Sequence, residues 1–231
     1  MDLVWSGSRQ ALALLADSDR EIWGILRLSL QVSGCATLIS LALGVPAGAV
    51  LALARFPGRG LLVSMVNTGM GLPPVVVGLF VTLLLWRGGP FGDLEILYTP
   101  AAIVIAQAVL AAPIVTGITL AAVGQVPREF RLQLLALGAS RVQMVWLVLR
   151  EARLPMLAAV MAGFGGIISE IGASMMVGGN IKGQTRTLTT AMVLETWKGN
   201  FEIAIALALL LLVLIFLVNW LLTAIQQRHA R

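Results

Sequence analysis

Few side chains in this 231-residue sequence could do chemistry, and those that could are suited to holding charge rather than breaking bonds. The single cysteine, Cys35, lies inside an apolar segment, which excludes an internal disulfide and a cysteine metal cluster. The single histidine, His229, stands three residues from the end, where a solvated tail residue is expected rather than a metal ligand or an acid–base group. No G-x-x-x-x-G-K-[ST] phosphate loop occurs, so any ATP chemistry belongs to another polypeptide. Glu170 is an acid within an apolar segment, and such a group is a site candidate by default. The alternative is a structural carboxyl, protonated or bonded to a neighbouring helix. Lys182 and Arg186, with threonines at 185, 187, 189 and 190, suit contact with an anion or an anion-carrying protein. An ordinary solvated loop would have the same composition.

The densest charge lies in the middle, over residues 126–155, with five arginines (128, 131, 141, 150, 153) and two glutamates (129, 151). Membrane-length apolar segments flank this island, so it sits in water or against another protein, because charge at mid-bilayer is costly. Pro127 suits a helix start, Gly138 can end one helix in the left-handed conformation, and Ser140 with Gln143 forms a capping box for the next. The expectation is a knob of two short helices hinged at Gly138. Packing of the loop on its own membrane domain is the plainer reading.

The elements that carry these groups follow from composition. With 58% hydrophobic and 12% charged residues, the chain has about half the charge of a soluble domain. The class is an all-α polytopic membrane protein forming one transmembrane domain over 1–231. A β-barrel would instead show short alternating segments. Five spans are expected, over 28–53, 61–86, 99–122, 154–177 and 203–225. Pro46 and Pro113 should bend the first and third. Gly69, Gly71, Pro73 and Pro74 interrupt the second, and a broken helix at membrane depth is tolerated only in protein or beside a wet cavity. A packing kink is the other reading of that break. Small residues from Gly163 to Ala173 should let the fourth helix approach its neighbours. Residues 1–20 read as an interfacial segment with Trp5 and several leucines, not as a signal peptide. Ser18 and Glu21 look like a second capping box. Residues 178–200 are too polar to span and read as a loop.

The net charge of +5 is a topology signal rather than a nucleic-acid footprint, because the arginines border apolar segments. With the central loop inside the cell, that side carries nine basic residues and two acids. The other carries seven and eight, leaving Glu170 aside. This favours an outside N-terminus, a cytoplasmic C-terminus and an extracytoplasmic 178–200 segment. No internal repeat of the inverted-repeat carrier kind is visible.

Two stretches carry a family resemblance. Gly138-Ala139-Ser140 and Leu154-Pro155 resemble the end and close of the cytoplasmic coupling loop of ABC-importer permeases. Leu132-Gln133-Leu134 stands where that family has Glu-Ala-Ala. From Ser169, the run S-E-I-G-A and then G-Q-T-R-T resembles the signature of oxyanion permeases, as does Leu72-Pro73-Pro74-Val75-Val76-Val77-Gly78. The form G-G-N-I-K-G-Q-T-R-T-L-T-T-A-M-V-L-E-T-W-K-G looks closest to tungstate-type permeases, with molybdate and sulfate permeases sharing the frame.

The resemblance implies a type I ABC-importer permease (MetI-like) fold and a homodimer in the cell (inner) membrane. It implies two copies of a separate ATPase holding ATP and Mg, an extracytoplasmic oxyanion-binding protein, and no cofactor on this chain. It places coupling on Glu129, Phe130, Leu134, Gly138 and Ala139. It places the translocation pathway on Pro73, Pro74, Ser169, Glu170, Gly172 and Ser174. Lys182 and Arg186 become contacts for the binding protein. A bare carboxylate would repel a passing anion, which favours the structural reading of Glu170. A stand-alone channel or carrier, and a scaffold subunit without a pathway, are the competing classes.

Overall fold

The computed structural model describes Trp5, Arg9 and residues 20–230, the last three as backbone only. Most of the interfacial 1–20 segment, Ser18 of the expected capping box, and the side chains of Arg228, His229 and Arg231 lie outside the described residues. Everything described in regular structure is helical: α1 (Arg20–Leu53), α2 (Arg59–Met70), α3 (Pro74–Leu85), α4 (Pro100–Gly124), α5 (Arg128–Ala136), α6 (Arg141–Glu151), α7 (Arg153–Ile168), α8 (Gly172–Gly178), α9 (Leu188–Trp197) and α10 (Phe201–Ala230), with one 3-10 turn at Gly92–Leu94.

Among the described residues three helices, α1, α4 and α10, are each long and apolar enough to cross a membrane unaided. The count reaches five only if two bent pairs each make one span: α2 with α3, bent by 103°, and α7 with α8, bent by 59°. The chain is a multi-pass membrane protein. The expected prolines behave in two ways. Pro46 and Pro113 lie inside unbroken helices. Pro73 and Pro74 end one helix and begin another. Pro73 is extended (φ −63°, ψ 125°), as a residue before proline must be, and Pro74 takes the first helical position, where its missing N–H costs nothing. The second span is therefore a corner between two helices rather than a kinked rod.

The core forms where α1 and α4 meet. Their close approach depends on Gly44 and Gly48. A Cβ on Gly48 would lie 2.6 Å from the Thr116 carbonyl oxygen, and one on Gly44 2.8 Å from Val115 Cγ1. Small residues four apart let helix backbones approach in this way, and dispersion contacts follow from the approach. This seam carries a close fit between the two long helices, and the Gly163–Ala173 run makes its own close approaches at Gly172 and Ala173. Polar atoms tie the same two helices together nearer their N-terminal ends. Ser33 Oγ of α1 donates to Gln107 Oε1 of α4 at 3.1 Å, and Gln107 Nε2 donates to the Ile167 carbonyl of α7 at 3.0 Å. Gln107 is 2% exposed, so these bonds replace water that cannot reach it.

A second cluster (Ile22, Ile25, Phe164, Ile168, Leu207, Leu210) seats α10 on α1 and α7. A third (Ala122, Val123, Val126, Val148, Ala152) fixes the 126–155 knob to the far ends of α1 and α4. The knob therefore lies at the C-terminal end of α1, and the 178–186 segment lies beside its N-terminal end, where Lys182 reaches Glu21.

Candidate functional site

The two helix breaks meet each other. The α2–α3 corner lies beside the α7–α8 bend, so that a Cβ on Gly172 would fall 2.7 Å from Val75 Cγ2 and one on Gly78 2.8 Å from Ala173 Cα. The proposed pathway residues are thus brought to one place, but they do not share a surface. Pro73, Pro74 and Ser169 are exposed, whereas Glu170 and Ser174 are buried. Ser169 turns its hydroxyl back to the Gly165 carbonyl at 2.8 Å.

Glu170 is a helix cap. Its carboxylate accepts from the backbone N–H of Ala173 at 3.1 Å and of Ser174 at 3.2 Å, which the first turn of α8 would otherwise leave without partners. Its own carbonyl accepts from Thr189 Oγ1 at 3.0 Å. The bonds therefore go to the helix that follows Glu170, and through Thr189 to α9. At 8% exposure the carboxylate is packed rather than presented to a lumen in this conformation. Ser174 Oγ in turn lies 3.5 Å from Gln107 Nε2, which joins the bend to the polar layer of the core.

The 126–155 knob has the expected construction. Gly138 sits at φ +85°, a left-handed conformation that other residues adopt only at a cost. Ser140 caps α6 with both bonds of the capping box, Gln143 N–H to Ser140 Oγ at 3.3 Å and Ser140 N–H to Gln143 Oε1 at 2.8 Å. The side chains divide in a way the sequence reading did not separate. Glu129 and Gly138 are exposed and Ala139 is half-buried, but Phe130 and Leu134 pack against Val123, Val126 and Val148 and hold the knob to its own domain. The exposed apolar surface belongs to residues outside the expected coupling set: Leu137 at 85%, Val142 at 79%, Trp146 at 58% and Leu132 at 53%. Their signal in the sequence was faint, because apolar residues surrounded by apolar spans look unremarkable until the fold places them outside.

The 178–200 segment differs from the expected loop. It contains α9, whose first turn is capped by Thr187 with Thr190. The threonines offered for anion contact face inward: Thr185, Thr187, Thr189 and Thr190 are all buried. Each satisfies its hydroxyl within the protein, as when Thr185 donates to the Gly178 carbonyl at 2.5 Å. Leu188 N–H donates to Ser29 Oγ of α1 at 2.9 Å, which anchors α9. Lys182 and Arg186 remain near the surface but have a partner in the protein. Lys182 Nζ lies 2.6 Å from Glu21 Oε2 and Arg186 Nη1 3.4 Å from Glu21 Oε1. Further along, hydrogen bonds from Asn200 and then Lys198 hold the Glu195 carboxyl below the usual carboxylate range. Among the described residues no three His, Cys, Asp or Glu side chains converge as a metal site would require.

Known proteins share this arrangement. Residues 44–231 match the family described as "Binding-protein-dependent transport system inner membrane component". The chain is 42% identical over 209 residues to the "Probable anion ABC transporter permease protein" of Haloferax volcanii, covering 88% of this chain and 90% of that one. It is 37% identical to the tungstate uptake system permease protein TupB of Peptoclostridium acidaminophilum, covering 98% and 100%. Among solved structures, an inward-facing MetNI methionine ABC transporter superposes with a TM-score of 0.75 at 19% identity, covering 92% of this chain and 99% of that one. That likeness establishes the all-α, MetI-like permease fold.

Proposed function

The chain belongs to the binding-protein-dependent transport system inner membrane components, and from that premise we propose that it moves tungstate into the cell as the membrane subunit of an ATP-driven importer. It is a membrane ABC-importer permease subunit of the oxyanion group. Molybdate and sulfate are the competing cargoes, and the whole-length likeness to a tungstate uptake permease favours tungstate.

The observation that carries the mechanism is the knob. Leu137 and Val142 are left almost wholly exposed beside a left-handed Gly138, at the opposite end of α1 from Lys182. Apolar side chains exposed on a capped, hinged pair of helices within a charged segment need a protein to cover them. We assign that cover to an ATPase subunit, one per permease in a homodimer. Closure of the ATPase pair on ATP pushes the knob, and Phe130 and Leu134 pass the displacement to the ends of α1 and α4. Glu129, Gly138 and Ala139 sit on the pushed face. Alternating access then falls to the two facing breaks at Pro73–Pro74 and Ser169–Gly172, where helix is already interrupted and the least structure has to be broken. The knob is cytoplasmic in this reading, with the N-terminus and Lys182 outside and the C-terminus inside. An extracytoplasmic binding protein delivers the oxyanion near Lys182 and Arg186.

The test is reconstitution of the permease with its ATPase in liposomes. Loaded binding protein should raise ATP hydrolysis and drive uptake, and Gly138→Asp should abolish both. Uptake by the permease alone, without ATPase, would replace this reading with a channel or carrier.

A further inference from the structure

Beside the outer end of α1 lies a cleft of about 540 Å³, bounded by that helix and the 182–186 segment. Its charge is lopsided. Among the described residues Arg20, Arg27, Lys182 and Arg186 line it with the carboxylate of Glu21, and the amide of Gln31 adds donors at its inner edge. On α1 the contributors Arg20, Gly24, Arg27 and Gln31 recur at the spacing of a single helix face, so the stripe runs down toward the membrane core. Depth grades the two cations of the other wall. Lys182 is 68% exposed at the rim, and Arg186 only 15%, with its Nε buried and without a hydrogen-bond partner.

A recessed guanidinium beside three further cations is poorly placed for an acidic protein surface. It is well placed for a small tetrahedral anion, which can enter the cleft and accept several donors at once. Glu21 already provides part of that arrangement, since its two carboxylate oxygens hold Lys182 and Arg186 together.

We propose that this cleft is a receiving site on the permease for the free oxyanion, and that the Glu21 carboxylate holds the cations in position until the anion displaces it. The inference rests on the transport reading above and adds a station between the binding protein and the membrane breaks. The walls are tied to those breaks. Thr185 bonds the Gly178 carbonyl at the end of α8, and Thr189 bonds the Glu170 carbonyl at its start. Occupancy of the cleft therefore bears on the α7–α8 bend.

The test uses the permease–ATPase complex in nanodiscs without binding protein, titrated with sodium tungstate and separately with sodium sulfate. Saturable binding is expected, weakened about tenfold in Arg186→Gln and in Lys182→Gln, since a charged hydrogen bond is worth roughly one decade of affinity or more. Glu21→Gln is the discriminating variant. Loss of the internal competitor should tighten anion binding, whereas a purely structural ion pair would leave it unchanged or weaken it, and either result overturns the proposal.

A lipid phosphate offers the same chemistry, so the titration is run in phosphatidylcholine discs and again with phosphatidylglycerol added. Abolition of binding by the anionic lipid would assign the cleft to headgroups and overturn the cargo role. Absence of wild-type binding, with ATPase activity still stimulated by loaded binding protein, removes the receiving site and leaves the transporter intact. ATPase activity indifferent to loaded binding protein would instead remove the transport reading, and the titration reports on the cleft independently.

Discussion

Val75 occupies the space a side chain on Gly172 would need: its Cγ2 lies 2.7 Å from where that Cβ would stand. The pair lies where the α2–α3 corner meets the α7–α8 bend, so two interruptions far apart in the chain are complementary in shape. Gly172→Ala should strain this junction by about 1–3 kcal/mol, the usual range for overpacking. Val75→Ala in the same protein should relieve most of it. Thermal unfolding of the two single variants and the double variant measures the coupling. Additive losses would mean that the breaks do not support each other.

Glu170 is expected to act through hydrogen bonds to the start of α8. Glu170→Ala leaves two buried N–H groups unpaired and should destabilise the protein by about 1–3 kcal/mol. Glu170→Gln keeps an acceptor oxygen and should lose less stability while retaining most uptake. A Gln variant that folds as well as wild type but no longer transports would reveal a role for the charge beyond capping.

On the knob, the exposed and packed apolar residues should separate in their effects. Leu137→Asp should leave the permease stable yet reduce stimulated ATP hydrolysis about tenfold or more, as loss of an interface anchor does. Phe130→Ala removes a packed ring and should lower stability by up to about 3 kcal/mol, less than a fully buried ring because Phe130 is only half-buried. Unfolding midpoint and coupled ATPase activity, read side by side, decide the matter; if both variants lost stability alike, Leu137 would be packed rather than presented.

Glu195 supplies a prediction in pH. Its folded-state pKa is depressed, by the Asn200 hydrogen bond first and the Lys198 hydrogen bond next. The stabilisation is therefore present above the ordinary carboxylate pKa and disappears as pH falls through the lower folded value. The stability difference between wild type and Glu195→Gln should be constant around neutrality and shrink only in acid. A difference that grew on acidification would reverse the assigned sign.

Five apolar segments, the Gly138 hinge and the Ser140–Gln143 cap were legible because each rests on local grammar: hydropathy, a left-handed glycine, a three-residue spacing. The 103° corner was not, because Pro73 and Pro74 dictate that a helix ends without dictating where the next one points. That direction comes from Gly78 packing on Ala173, a contact across nearly a hundred residues. The inward-facing threonines were misread for a related reason. A threonine that bonds its own turn is as comfortable in a dry interior as in water, and composition cannot distinguish the two. The Lys182–Glu21 pair spans most of the chain, and nothing near either residue announces it.

Gln107 reaches Ser33 on one side and the Ile167 carbonyl on the other, buried in an apolar helix bundle that offers no substitute for either bond. Prising those helices apart one by one would strand an amide in oil. The first, fourth and seventh helices must therefore travel together as a raft, and the slack that lets cargo through has to be found at its edges.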